Sequence, residues 1–195
     1  MFVKVSGKWL SRLCCCQLGY ILSPAGCRGR CCLGKVVTVL PREQAAIQEA
    51  GGHIVDNILL PSFETARCPF LQPTGLCELH NSGIKPLHCT LHPFKFNSRG
   101  TLIAQKSWFY MSCANSGIPL YEAFSDSLSR IFPDWGNVKL ELASGALLVR
   151  TWVDPFLYMD LQYIGQHTLA EQRKRDACGS WANWLAKAKE KYSRV

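Results

Sequence analysis

The sequence predicts an α+β fold: a small, irregular, cysteine-rich metal-binding core of short strands and helices, followed by a mixed helix and hairpin C-terminal part. Three observations carry that reading. Apolar residues make up 48% and charged residues 18% of the 195-residue chain, a near-average usage that excludes disordered, collagen-like and low-complexity chains and leaves enough surface to bury in a real core. Short β-branched runs alternate with stretches of helical periodicity, without an internal repeat. Ten of the eleven cysteines precede residue 114, so the thiol chemistry belongs to one part of the chain.

Residues 1–25 read as a poorly ordered or variable N-terminal extension, 26–117 as a cysteine-cluster metal-binding domain, and 118–195 as an α+β segment packed on it. In the second segment, Lys35-Val36-Val37-Thr38-Val39-Leu40 is β-branched and short, a strand. Pro41 then opens a helix as its first residue, with Glu43 in the first turn and Gly51-Gly52 closing it. Prolines and glycines from Pro61 to Pro93 break any long element over 57–93. Phe94-Lys95-Phe96, the turn 97–100 and Thr101-Leu102-Ile103-Ala104 read as a hairpin, and Trp108-Phe109-Tyr110 as a strand contributing to the core. Further on, Tyr121, Phe124, Leu128 and Ile131 share one face of a helix stopped by Pro133. Residues 138–142 and 147–153 read as a second hairpin turning at Ala143-Ser144-Gly145-Ala146. Ser180 is the N-cap of a last helix with the apolar stripe Trp181, Trp184, Leu185, Ala188 and Tyr192.

The formal charge of +8 would ordinarily point to nucleic acid, an anionic membrane or acidic substrates. It is discounted here, because six ionised thiols around two divalent cations lower the balance by about two. Arg28, Arg30, Lys35 and Lys85 sit beside the cysteines, where their work is to neutralise a thiolate cluster. The dense spots Arg173-Lys174-Arg175 and Lys187, Lys189, Lys191 read as solvated helix faces, and nucleic acid is not an expected partner. No apolar run approaches the roughly 18–20 residues needed to span a membrane. Residues 1–25 imitate a signal peptide, with Lys4, Lys8 and Arg12 ahead of an apolar stretch, yet Cys14-Cys15-Cys16-Gln17 is a poor hydrophobic segment and Pro24 is badly placed for cleavage. The odd cysteine count argues against a fully paired extracellular framework, so a reducing, cytoplasmic setting is expected.

In such a compartment, cysteines are more often metal ligands or catalytic groups. A tetrahedral zinc or iron site needs soft thiolates converging from two or more chain segments. Cys27-Arg28-Gly29-Arg30-Cys31-Cys32 offers three thiols, and the adjacent pair Cys31 and Cys32 points in different directions, which hints at two ions or a bridged cluster. Downstream stand Cys68, then Cys77-Glu78-Leu79-His80 and Cys89-Thr90-Leu91-His92. The last two are Cys-x-x-His pairs, a spacing that lets one turn offer a sulfur and an imidazole to one metal. For His80 the choice between ligand and supporting group stays open; His92 reads more readily as a stand-in for an aromatic residue.

Cys27–Cys32, Cys68-Pro69-Phe70-Leu71, Gly75-Leu76-Cys77-Glu78-Leu79-His80 and Lys85–Phe94 occur in an order and at separations that resemble the cysteine-cluster family of zinc- or iron-chelating domains, the CxxCxxCC type. The resemblance covers about residues 27–115. It implies Cys31, Cys32, Cys68, Cys77 and Cys89 as ligands, with Cys27 beside them, and places Cys113 where many members carry a later cysteine. Two departures stand out. Position 25, where the first motif cysteine belongs, is alanine, and Cys27 is shifted by one; His92 falls where the family often has an aromatic residue before Pro-Phe. The implied cofactor is one or two zinc or iron ions, with an iron–sulfur cluster as a further form.

Three functional classes follow. The leading one is a metal-binding cysteine-cluster protein with a structural or redox role. The second is a metalloenzyme, methyltransferase-related or hydrolytic, in which the ion keeps an open position and Glu64 or Glu78 handles protons; relatives by resemblance include flagellin lysine N-methylases, although no glycine motif for S-adenosylmethionine occurs here. The third is a zinc-stabilised module that binds nucleic acid or protein. A serine-hydrolase or P-loop reading has no support, since neither G-x-S-x-G nor G-x-x-x-x-G-K-S/T occurs.

Overall fold

Strict alternation builds the first element. In Phe2–Ser6 (β1), Val3 and Val5 are buried while Phe2 and Lys4 face outward, the period-two pattern of a strand with one covered face. The computed structural model describes residues 1–14, 32, 35–104 and 117–192. After β1 come α1 (Gly7–Leu10), β2 (Leu13–Cys14), β3 (Val37–Thr38), a 3₁₀ turn at Pro41–Glu43, and α2 (Gln44–Glu49). The next elements are β4 (Ile54–Val55), β5 (Ile58–Leu59), α3 (Leu87–Thr90), β6 (Phe94–Phe96) and β7 (Thr101–Ala104). The chain continues through β8 (Ile118–Pro119), α4 (Leu120–Ala123), α5 (Ser125–Ile131) and α6 (Trp135–Ala143). It ends with β9 (Leu148–Trp152), α7 (Pro155–Ala177) and α8 (Trp181–Tyr192). The expected α+β class is what these elements form. They fall into two compact units, Met1–Cys27 with Thr90–Gln162, and Arg28–Cys89 with Tyr163–Val195.

The first unit is organised by a four-stranded sheet in the order β6-β7-β1-β9. The expected hairpin is present: β6 and β7 are antiparallel, with Lys95 opposite Ile103. Its turn is fixed by Asn97, whose Oδ1 accepts from the N–H groups of Arg99 (2.9 Å) and Thr101 (3.0 Å), and by Gly100 at φ +67°, a conformation that a side chain would disfavour. β1 runs parallel to β7 and antiparallel to β9. At its end Gly7 donates to Leu147 O at 2.9 Å, and a Cβ at this position would run into the Ala146 carbonyl oxygen. Leu120, Leu128, Ile131 and Phe132 are fully buried, and Phe94 meets Phe124 edge-on with ring centres 5.6 Å apart.

In the second unit, β3, β5 and β4 form a small antiparallel sheet in the order β3-β5-β4. Alternation divides its residues between two apolar clusters. Val37, Val39 and Leu59 join Ile47, Phe70 and Leu79 on one side, whereas Val36, Ile58 and Leu60 join Trp184 and Ala188 of α8 on the other. Ser180 caps α8 as expected, its Oγ accepting from the Asn183 N–H at 3.1 Å. Trp184 and Ala188 are buried members of the expected stripe. The Thr38 and Thr168 hydroxyls meet at 2.8 Å, linking β3 to α7.

Two expectations are corrected. Residues 138–142 are helical, not a hairpin strand: Trp135, Val138 and Leu142 are buried at helical spacing, and Leu140 between them is 70% exposed. The helix expected through Tyr121, Phe124, Leu128 and Ile131 is two short helices, broken at Phe124 (φ −115°). The core cluster of the second unit is aliphatic and aromatic, with Cys68, Cys77 and Cys89 bordering it as partly buried neighbours. The expected strand at Trp108-Phe109-Tyr110 lies outside the described residues.

Candidate metal centre

Two of the thiols are set by one tight loop. Phe70 and Leu79 are buried anchors, and between them the chain turns at Pro73–Gly75, where Gly75 takes φ +88° and donates to Gln72 O at 2.9 Å. The returning strand closes with Leu71 bridged to Cys77, Gln72 N–H on Leu76 O and Glu78 N–H on Phe70 O, both 2.9 Å. Cys68 and Cys77 each precede a buried anchor by two residues, so each thiol follows its anchor to the margin of the same cluster. Pro69 fixes the turn after Cys68, and the Phe70 N–H donates back to the Cys68 sulfur.

The third thiol is held from the opposite direction. Cys89 lies in the single helical turn α3, whose first N–H, that of Leu87, donates to Glu43 Oε1 at 2.8 Å. The other oxygen of the same carboxylate accepts from the Leu40 N–H at 2.9 Å. Beside Cys89, His88 is buried, and its Nδ1 accepts from the Thr38 N–H at 2.9 Å. Strand β3 and the 3₁₀ turn therefore clamp α3 through one carboxylate and one imidazole. Sequence reasoning missed both residues as supports of the site, because their partners lie 44 and 50 residues away along the chain. The only signal was their chemistry: a carboxylate at a helix start and a histidine beside a candidate ligand.

Electrostatics link the three sulfurs. Burial raises the Cys68 thiol above its ordinary range; the Phe70 N–H and the Lys35 ammonium oppose that rise, while Cys77 and Glu78 add to it. Burial pushes Cys89 up to about 11, with Lys35 and Lys85 favouring its thiolate and Cys68 and Cys77 disfavouring it. Cys68 and Cys89 are thus each penalised by neighbouring thiols when charged, with Lys35 opposing the penalty at both and Lys85 at Cys89. A bound dication would reverse that penalty.

The expected ligands are distributed as follows. Cys32, Cys68, Cys77 and Cys89 are half-buried and unbridged. Cys27, Cys31 and Cys113 lie outside the described residues. His80 is exposed, with its Nδ1 3.3 Å from Lys85 Nζ, and both ring nitrogens of His92 are shielded from solvent. Glu64 and Glu78 are exposed. Among the described residues, no three His, Cys, Asp or Glu side chains are arranged to hold a metal ion by themselves.

Residues 23–114 match the model of the CxxCxxCC family, described as "Putative zinc- or iron-chelating domain". The match takes in six of the seven candidate ligands between Cys27 and Cys89 together with Cys113, that is, all of them, and a little under half of the chain. No curated protein and no solved structure matches the chain. No helix among the described residues is long and apolar enough to cross a membrane.

Proposed function

We propose that this chain is a cytoplasmic metal-binding protein in which Cys68, Cys77 and Cys89, with Cys27, Cys31, Cys32 and Cys113, hold zinc or iron in a structural role. The observation that carries the reading is the gathering of Cys68, Cys77 and Cys89 at the edge of one apolar cluster, each unbridged, with Lys35 within electrostatic reach of Cys68 and Cys89. Soft thiols of this kind fit zinc or iron rather than calcium or magnesium. A tetrahedral site needs four ligands converging from two or more segments, and in this reading the Cys27–Cys32 segment contributes beside Cys68, Cys77 and Cys89. The ion supplies a multi-point cross-link. The chain's own residues do the positioning: Phe70 and Leu79 anchor the Cys68–Cys77 loop, Glu43 and His88 hold the Cys89 turn, and the two lysines offset thiolate charge.

Single serine substitutions test this assignment. In anaerobically purified protein, Cys68→Ser, Cys77→Ser and Cys89→Ser should each lower bound metal. Cys178→Ser should not, because Cys178 packs on the opposite cluster beside Trp184. Equal losses from all four variants would overturn the ligand assignment.

A further inference from the structure

Among the described residues, the outer strand of the first unit's sheet has one edge with no strand paired to it. Met1 and Val153 exchange both backbone hydrogen bonds, the N-terminal amine donating to Val153 O at 2.6 Å and the Val153 N–H to Met1 O at 2.8 Å. In an antiparallel pair, such hydrogen-bonded positions alternate with non-hydrogen-bonded ones. With the observed register, Val3 with Thr151 and Val5 with Val149 are hydrogen-bonded pairs, while Phe2–Trp152, Lys4–Arg150 and Ser6–Leu148 are not. The N–H and C=O groups of Leu148, Arg150 and Trp152 therefore point away from β1, toward the free side of β9, the last strand of the sheet. No backbone partner meets them among the described residues.

The same three residues expose their side chains on one face: Leu148 is 53% and Trp152 41% accessible, with Phe2 at 64% next to Trp152. Natural sheet edges are normally blunted against pairing, and exposed apolar side chains on one are a marker of docking. Charge gives the second half of the argument. Lys4 and Arg150 stand directly opposite each other, an unfavourable like-charge pair, and neither has a carboxylate partner among the described residues. The Arg150 guanidinium lies over the Phe2 ring at 5.4 Å, on the exposed face.

We propose that β9 is a docking edge for an extended segment of a partner protein, which adds as a further strand and presents an acidic residue flanked by apolar residues two positions to either side. The period of a strand sets that pattern: the residue opposite Arg150 places its carboxylate beside the Arg150 guanidinium, with Lys4 one strand further on adding to the positive field, and its neighbours at ±2 cover Leu148 and Trp152. Main-chain hydrogen bonds to Leu148, Arg150 and Trp152 provide affinity, and the side-chain pattern provides selectivity. A second copy is a poor occupant, since two-fold pairing centred on Arg150 sets guanidinium against guanidinium. The chain's own segments 15–31, 33–34, 105–116 and 193–195 contain no Asp or Glu side chain to set opposite Arg150.

The test uses the full chain and a fluorescent, end-capped peptide Thr-Val-Thr-Glu-Thr-Leu-Thr, with a control peptide in which lysine replaces the glutamate. The glutamate peptide should bind at least about tenfold more tightly than the lysine peptide, and Arg150→Glu combined with Lys4→Glu should invert that order. Bound peptide should slow amide exchange at Leu148, Arg150 and Trp152 and leave Val149 and Thr151, already paired with β1, unchanged. Absence of binding by either peptide, an order unaffected by the charge reversal, or protection spread evenly along β9 would overturn the proposal. So would self-association of the free chain that Trp152→Lys abolishes, which would make a second copy the occupant.

Discussion

Replacing Glu43 by alanine removes the acceptor of two backbone donors at once, Leu40 N–H at 2.9 Å and Leu87 N–H at 2.8 Å. A hydrogen bond to a charged group contributes roughly 1.5–3 kcal/mol. Because the carboxylate is only half-buried, the lower end applies, and the pair together contributes about 3 kcal/mol. For a chain of this size that corresponds to a fall in Tm of about 6–12 °C. The second consequence is local: α3 loses its tie to the 3₁₀ turn, so Cys89 is less well placed, and metal affinity should fall by about 10–100-fold, as for other groups that orient ligands. Glu43→Gln retains one acceptor oxygen and turns an amide N–H₂ toward the other donor, so it should lose at least half as much stability. Thermal unfolding by circular dichroism reads the first effect, and competition with a chromogenic zinc chelator reads the second. An alanine variant that loses stability but keeps full metal affinity would refute the claim that Glu43 positions Cys89; one that loses neither would refute the clamp altogether.

His88→Ala leaves the Thr38 N–H without the imidazole acceptor and should cost about 1–3 kcal/mol, measured by urea unfolding; a shift near zero would contradict the buried hydrogen bond. Leu142→Ala should cost about 2–5 kcal/mol and Leu140→Ala less than about 0.5 kcal/mol, since Leu142 is buried and Leu140 exposed; similar costs would restore the hairpin reading. Metal-free, reduced protein should lose stability in alkali. Folding favours the protonated Cys89 thiol, whose value is raised from 9.0 to about 11, so its contribution is complete below about pH 9 and is lost as pH rises through 11. The full loss is roughly 2–3 kcal/mol, and Cys89→Ser should flatten that slope in the urea midpoint; an unchanged slope would remove Cys89 as its source.

What the sequence made legible depended on range. The β6–β7 hairpin and the α8 cap rest on residues within a few positions of each other, Asn97 with Thr101 and Ser180 with Asn183, and local chemistry specifies them. Residues 138–142 satisfied both a strand and a helix period over five positions; only burial of Trp135, three residues earlier, decides for the helix. The strand β1 is five residues long and finds its partners at Thr101 and Thr151, far along the chain, so nothing nearby announces it as an inner strand. The sequence pattern does not announce helix α7, because its apolar residues are spread around its circumference and a glycine, Gly165, stands in its interior. At the candidate site, residue type and spacing named Cys68, Cys77 and Cys89. The supports Glu43 and His88 became visible only once β3 and α3 were brought together.

The central claim is tested most directly by elemental analysis and sulfur-sensitive X-ray absorption on protein purified without oxygen or added metal. The account predicts one or two zinc or iron ions per chain with a sulfur-dominated shell, reduced in Cys68→Ser, Cys77→Ser and Cys89→Ser. Folded protein that carries no such ion, takes none up when zinc or ferrous iron is supplied, and leaves every one of these thiols freely reactive would contradict it.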